Sequence, residues 1–405
     1  MDNKIIRPVP GFVDAQGADL AARGAIQSAI QRLFKRHGYD RIDTPILEHT
    51  DLFLRKSGGE LASQMYTFTD QGGHQVSLRP EFTASVIRAF IQRAPSFNLP
   101  LRWQYAGPVF RYEPLERSRY RQFTQQGVEL IGATGLEADA EVIALACAGI
   151  RELGLSNCSL DIGHIGVVLS LLDGLNLSER VKATLVSSLP ELSQDAGSIA
   201  AVKDRLVSTG ALKPASGESY LVSLIGCLPE QQAEAAIEGL LTGLRAETVG
   251  SRQASEIGAR FLEKLKGSDK PEHVETAMNL VAKLSSVKGK PAPALKKARA
   301  IAAEQGIDAA PLEQLERLSD LLGKDTGMQV SINFGLARGL AYYTGTVFEI
   351  YRNRLPLCGG GRYDGLVRAL GGEQDVAALG FAYNLEHLKE GLAEEGKTTK
   401  LTEGD

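Results

Sequence analysis

Cysteine is scarce in this chain: Cys147, Cys158, Cys227 and Cys358 are the only four in 405 residues, and no two form a C-x-x-C pair. That spacing excludes a thiolate zinc site and supplies no disulfide framework. Reduced, buried or incidental thiols are the expectation. A surplus of charge of one sign is also missing. Lys and Arg number 45 against 49 Asp and Glu, a net charge of −4, and no basic run stands out. Binding to phosphate backbones leaves an electrostatic footprint, so no broad nucleic-acid surface is implied. The N-terminus, MDNKIIRPVPGF, has no apolar h-region, and no stretch reaches the length of a membrane span. A cytoplasmic protein with no membrane partner is expected. No Ser-His-Asp arrangement is readable, and no His/Cys/carboxylate set has zinc spacing, so no metal is expected.

What is present is an ordinary globular composition, 43% hydrophobic and 23% charged, long enough for two or three cores. Apolar residues Ile26, Ile30, Leu33 and Phe34 share one face of a helix expected from about Leu20 to His37. Gly38 ends it, and YDRIDTPILEHTDLF reads as a strand carrying Pro45, hence an edge or interface strand. YTFTDQGGHQVSL (66–78) reads as a hairpin about Gly72-Gly73, followed by a helix opened by RPEFTASVIRAFI. Residues 109–132 read as two strands around a polar loop, and 158–168 and 328–334 as further strand-like runs. His164, in DIGHIG, reads as a core or sheet histidine. Between about 169 and 325 apolar residues recur at three and four, and roughly six to eight helices fit. The implied organisation is an α+β domain (1–165 and 326–390) interrupted by a helical insertion (166–325), with a polar tail at 391–405.

Four segments carry chemistry. FRYE (110–113), with Arg119 and Arg121, sets three arginines near the carboxylate of Glu113, a cluster suited to phosphate through charge-assisted bonds. A solvated strand-loop with surface ion pairs is the plain alternative. In QFTQQGVELIG (122–132), Gln125 and Glu129 lie four apart on a strand and face the same side. LARGLAYYTGTVFEIY (336–351) and LCGGGRYDGL (357–366) each pair a Gly cluster with Arg and Tyr. Glycine lets a backbone approach a ligand closely, and Arg and Tyr supply a planar fork and a hydroxyl. The triple glycine lacks the Lys-Ser/Thr of a phosphate loop and does not match G-x-G-x-x-G, so a ligand-pocket wall is the better account.

These four segments resemble, in order, the motifs of the histidyl-tRNA synthetase family, and the helix–Gly–Pro strand of 20–53 resembles the dimer-forming first motif of class II synthetases. The resemblance covers about 1–165 and 326–390. It implies a class II synthetase-like antiparallel sheet flanked by helices, a homodimer, and a pocket for L-histidine. Glu81, Thr83 and Gln125 would hold the α-amino group, Glu129 and Tyr343 (beside Tyr342) the imidazole, and Arg338 the carboxylate. Arg111, Glu113 and Arg119 would mark a residual nucleotide site.

Three departures bear on the reaction. In GFAYNLEHL (380–388), His387 stands where the family has an Arg for ATP phosphate, and Asn384 where a small residue is usual. Ala341 replaces an Asp in the family's RGLDYY. Family members carry an anticodon-binding domain after this point, where 17 polar residues (389–405) stand here. The resemblance therefore implies first a synthetase paralogue that regulates ATP phosphoribosyltransferase. Such a subunit binds histidine, activates a short catalytic subunit, and needs no cofactor, catalytic residue or tRNA. The alternative is a histidine–tRNA ligase or stand-alone histidine-adenylating ligase, using ATP and Mg with Arg111 and Arg338 in catalysis.

Overall fold

In the computed structural model the described residues are 6–397, apart from 56–57, 115–119, 176, 195–196, 209–210, most of 213–268, and 338–341. The main sheet runs β1 (Asp40–Arg41), β5 (Leu101–Phe110), β6 (Gln122–Ile131), β14 (Ala378–Asn384) and β13 (Leu355–Arg362). It continues through β12 (Thr346–Arg352), β7 (Cys158–His164), β11 (Gln329–Asn333) and β10 (Lys288–Gly289). Neighbours are antiparallel except β1–β5 and β7–β11. This is the class II synthetase-like mixed fold the motifs imply. A second sheet joins β2 (Leu47–His49), β4 (Gln75–Leu78) and β3 (Thr67–Thr69), and β8 (Thr248–Val249) pairs with β9 (Arg252–Gln253).

One face of the main sheet is covered by helices Gly17–Arg36, Leu136–Glu152 and Leu385–Glu394. Alternation explains how. Successive strand residues point to opposite faces, so Leu379, Phe381 and Tyr383 of β14 point together toward these helices. Phe381 packs edge-on against Phe34 at 5.7 Å, and the Tyr383 hydroxyl donates to the Ala146 carbonyl at 2.5 Å. The first helix buries Ala22, Ile26, Ala29, Ile30, Leu33 and Phe34, the face read from periodicity, and Gly38 follows at φ +79°. The alternate residues of β14 (Gly380, Ala382 and Asn384) point to the other face, where the motifs converge.

Two expectations change. The strand around Pro45 divides into β1 and β2, with the proline between them. Proline has no N–H to give a ladder. The break is closed by Arg79, whose N–H donates to Ile46 O at 2.9 Å and whose Nη1 donates to Thr44 O at 2.6 Å. The stretch 166–325 is also not solely helical, since β8, β9 and β10 lie in it. Two-residue strands are too short to leave a periodic signal. Helices Pro271–Ser285, Pro291–Gln305 and Ala310–Asp325 bury their apolar stripes in the same core as the sheet. Among the described residues no helix is long and apolar enough to cross a membrane.

Candidate active site

Glu129 is the hub of the open face. It sits on β6 opposite Trp103 of β5 and Gly380 of β14, with no solvent exposure. A Cβ on Gly380 would overlap its carboxylate, so glycine there is what lets the strand pass. Three hydroxyls point at it: Thr83 Oγ1 donates at 2.7 Å, Tyr105 at 3.1 Å, and Tyr363 completes the set. Each comes from a different element. Thr83 opens helix Thr83–Arg93, Tyr105 lies on β5 with its ring stacked on Phe82 at 4.4 Å, and Tyr363 follows β13.

Glu81 is the second buried carboxylate, held by the Ala84 N–H at 3.0 and 3.3 Å. Burial pushes both acids upward, Glu129 to about 8, because removing a carboxylate from water penalises its charged form. Proximity to Glu81 raises Glu129 further, and the three hydroxyl donors pull it back. The cation that offsets Glu81 is Arg111, whose Nε donates to Pro80 O at 2.9 Å and whose guanidinium lies 5.5 Å from the Phe123 ring. Two buried acids and several hydroxyls around one guanidinium make a pocket suited to a cationic or N–H-rich ligand.

The tyrosines form the wall. Tyr342, Tyr343 and Tyr363 are buried, with ring centroids 4.9 to 6.4 Å apart. Tyr342 lies close enough to Thr83, Glu81 and Glu129 for all three to influence its hydroxyl. A Cβ on Gly361 would come within 3.0 Å of the Tyr343 ring. The same Cβ would meet Thr346 O at 2.5 Å, and one on Gly360 would overlap Gly380 O, so close strand packing as well as the tyrosine demands glycine at both positions. Gln125 is buried on the same face of β6, directly between Gly107 and Asn384, and its Oε1 has no hydrogen-bond partner among the described residues. A buried acceptor left unmade is costly and marks a place for a donor.

The structure thus brings together Glu81, Thr83, Gln125, Glu129, Tyr342 and Tyr343, with Arg111 beside them. Arg119, Arg338 and Ala341 lie outside the described residues. Glu113 is half-buried, and its backbone carbonyl accepts from Arg121 Nε at 3.0 Å. Two direct partners of Glu129 go unnamed in the sequence reading. Tyr363 stood inside GGGRYD, where alternation from Gly361 would have pointed it into the pocket. Tyr105 had no motif to flag it. At the third motif, His387 Nδ1 meets the Pro356 carbonyl at 2.7 Å, and Asn384 Oδ1 accepts from the His387 N–H at 3.1 Å. Asn384 is therefore the N-cap of the last helix, a role its type favours. His164 is buried on the helix-covered face and bonded to Gln314, with burial lowering its pKa to about 4.

The sequence profile of the histidyl-tRNA synthetase family matches residues 11–221 and 249–388. A histidine–tRNA ligase of Methanocaldococcus jannaschii is 31% identical over 380 residues, 93% of this chain and 74% of its own length. One from Methanosarcina acetivorans is 32% identical over 94% of this chain and 74% of its own. A solved Bacillus halodurans protein, described as an ATP phosphoribosyltransferase regulatory subunit/histidyl-tRNA synthetase, is 26% identical. It superposes with a TM-score of 0.62, covering 96% of this chain and 84% of that one. Histidyl-tRNA synthetase from Nostoc sp. PCC 7120 has the same fold, with a TM-score of 0.61 at 18% identity over 97% and 77% of the two chains. The curated relatives overturn the regulatory-subunit expectation: at about a third identity over more than nine-tenths of this chain, they are named as ligases. The His387 and Ala341 departures do not outweigh that shared length.

Proposed function

The chain belongs to the histidyl-tRNA synthetase family, and on that premise we propose that it activates L-histidine with ATP, as a histidine–tRNA ligase. The carboxylate of histidine attacks the α-phosphorus of ATP, forming histidyl-adenylate and releasing pyrophosphate. The tRNA 3′-terminal hydroxyl then takes the histidyl group and releases AMP.

The observation that carries this reading is Glu129, a buried carboxylate ringed by Thr83, Tyr105 and Tyr363 and raised by burial. Such a group accepts an imidazole N–H. Glu81 and Gln125 Oε1, which has no partner among the described residues, suit the α-ammonium. Arg111, half-buried on the same side, is a cation suited to phosphate. Among the described residues no group of three or more His, Cys, Asp and Glu could hold a metal ion. Exposed Ile46, Leu47, Leu54 and Phe68, on and beside the three-stranded sheet, support a homodimer formed there. Sedimentation would test that assembly.

Charging of bulk tRNA with labelled histidine tests the full reading. Histidine acceptance abolished by Glu129→Ala is the expected result. Equal charging with leucine, or none with either, would refute it.

A further inference from the structure

We propose that Asp139 and Arg362, on the helix-covered face of the sheet, are positioning residues that hold the Tyr363 hydroxyl against Glu129 on the other face. The inference rests on the histidine reading of that pocket and adds to it a part of the site that touches no ligand. Arg362 ends β13 and Tyr363 follows it directly, and their side chains leave opposite faces, Arg362 to Asp139 and Tyr363 to Glu129. Fixing one fixes the other.

Arg362 is held at every nitrogen. Its Nε donates to Asp139 Oδ1 at 2.8 Å, and its Nη2 meets the same oxygen at 2.6 Å. Nη1 donates to Ala133 O at 3.2 Å and Asp364 Oδ1 at 3.1 Å, and Nη2 also donates to Gly135 O at 3.3 Å. The pair is buried, with side-chain exposures of 11% for Arg362 and 9% for Asp139. The partners are tied in turn. Asp139 accepts from Thr346 Oγ1 at 3.0 Å, and Asp364 Oδ1 accepts from the Ala378 N–H at 3.0 Å. The Thr344 N–H donates to Arg362 O at 2.8 Å, which carries the restraint to the residue after Tyr343. One guanidinium therefore locks the start of helix Leu136–Glu152, β12 and the entry to β14 onto the residue preceding Tyr363. A cavity of about 500 Å³ borders the cluster, lined by Asp139, His164, Gln314, Arg317, Arg362 and Asp364.

Buried ion pairs contribute little net stability, because desolvation offsets their attraction; what they can supply is a single geometry. Here the geometry has a reader. Facing Glu129 are Thr83, Tyr105 and Tyr363, with Glu81 and Tyr342 near them. Tyr363 is the largest of the influences that keep Glu129 from titrating still higher. If the Asp139–Arg362 pair is broken, Tyr363 loosens, Glu129 loses a donor, and the carboxylate that meets the ligand becomes harder to ionise.

The test uses the full chain, without and with histidine, in Asp139→Asn, Arg362→Ala, Tyr363→Phe and the Arg362→Ala/Tyr363→Phe double variant. Carboxyl-labelled glutamate NMR, with Glu129 assigned by its loss in Glu129→Gln, gives the midpoint without ligand. We expect each single variant to raise it by roughly half a unit or more and to weaken histidine binding about 10-fold. The double variant should be no worse than Tyr363→Phe alone. Millimolar guanidinium entering the vacated space should restore binding to Arg362→Ala but not to Tyr363→Phe. An unmoved midpoint in a folded Asp139→Asn or Arg362→Ala protein, or additive losses in the double variant, would overturn the proposal. Should Arg362→Ala not fold, Asp139→Asn decides alone. A wild type that ignores histidine while the midpoint moves as described would sink the histidine reading and leave the positioning role standing.

Discussion

Replacing Glu129 with Gln should stabilise the protein and disable it at once. The carboxyl has a folded pKa of about 8 against an ordinary value of 4.5, so the folded state holds a proton that the unfolded chain releases. Stability associated with that proton is fully present below pH 4.5 and is lost as pH rises toward 8. At 1.36 kcal/mol per unit, the wild type gives up roughly 3 kcal/mol between pH 4.5 and 7. Glutamine has nothing to ionise. The stability difference favouring Glu129→Gln should therefore grow with pH, by roughly 2–3 kcal/mol from pH 5.5 to 7.5. Binding moves the other way. Loss of a charge-assisted hydrogen bond to the ligand costs roughly 1.5–3 kcal/mol, or about 10–100-fold in histidine affinity. Denaturant melts of both proteins across that pH range, with calorimetric histidine titrations beside them, give both quantities. A variant whose stability tracks the wild type at every pH would refute the buried-charge argument, and unchanged histidine affinity would refute the pocket.

Other outcomes follow from neighbouring residues. Gly380→Ala should lose most histidine binding in titrations and lower the denaturant midpoint, since its Cβ meets both the Glu129 carboxylate and the Val128 carbonyl of the neighbouring strand. Arg111→Ala should reduce histidine-dependent ATP–pyrophosphate exchange by at least about 100-fold through lost phosphate stabilisation, with a much smaller change in histidine Kd. Phe34→Ala should cost about 3–5 kcal/mol in denaturant melts, because its ring is fully buried against Phe381 and Tyr383. Tyr105→Phe should weaken histidine binding by only about 1 kcal/mol, since two hydroxyl donors to Glu129 remain.

Much of the site was legible because strand alternation is a strict rule. Glu129 and Gln125 could be placed on one face from their spacing alone, and the structure puts both there. Gly361 signalled close approach, although not what approached: the Thr346 carbonyl and the Tyr343 ring. Tyr105 was illegible because its role depends on β5 lying beside β6 in a register that puts it opposite Gly127. That is a nonlocal fact, and no spacing within β5 encodes it. The Asp139–Arg362 pair spans 223 residues and joins a helix to a strand, so neither partner stands out locally. Pro45 was read as part of a strand because the flanking residues favour one; the missing N–H decided otherwise. His387 departs from the family pattern, yet it is Asn384, capping the helix that carries it, whose residue type the local backbone rewards.

Histidine-dependent exchange of label between pyrophosphate and ATP, by the purified full chain, tests the central claim most directly. The account predicts robust exchange with L-histidine, none with leucine, and its loss in Glu129→Ala and Arg111→Ala. Tight histidine binding with no exchange above background would contradict it.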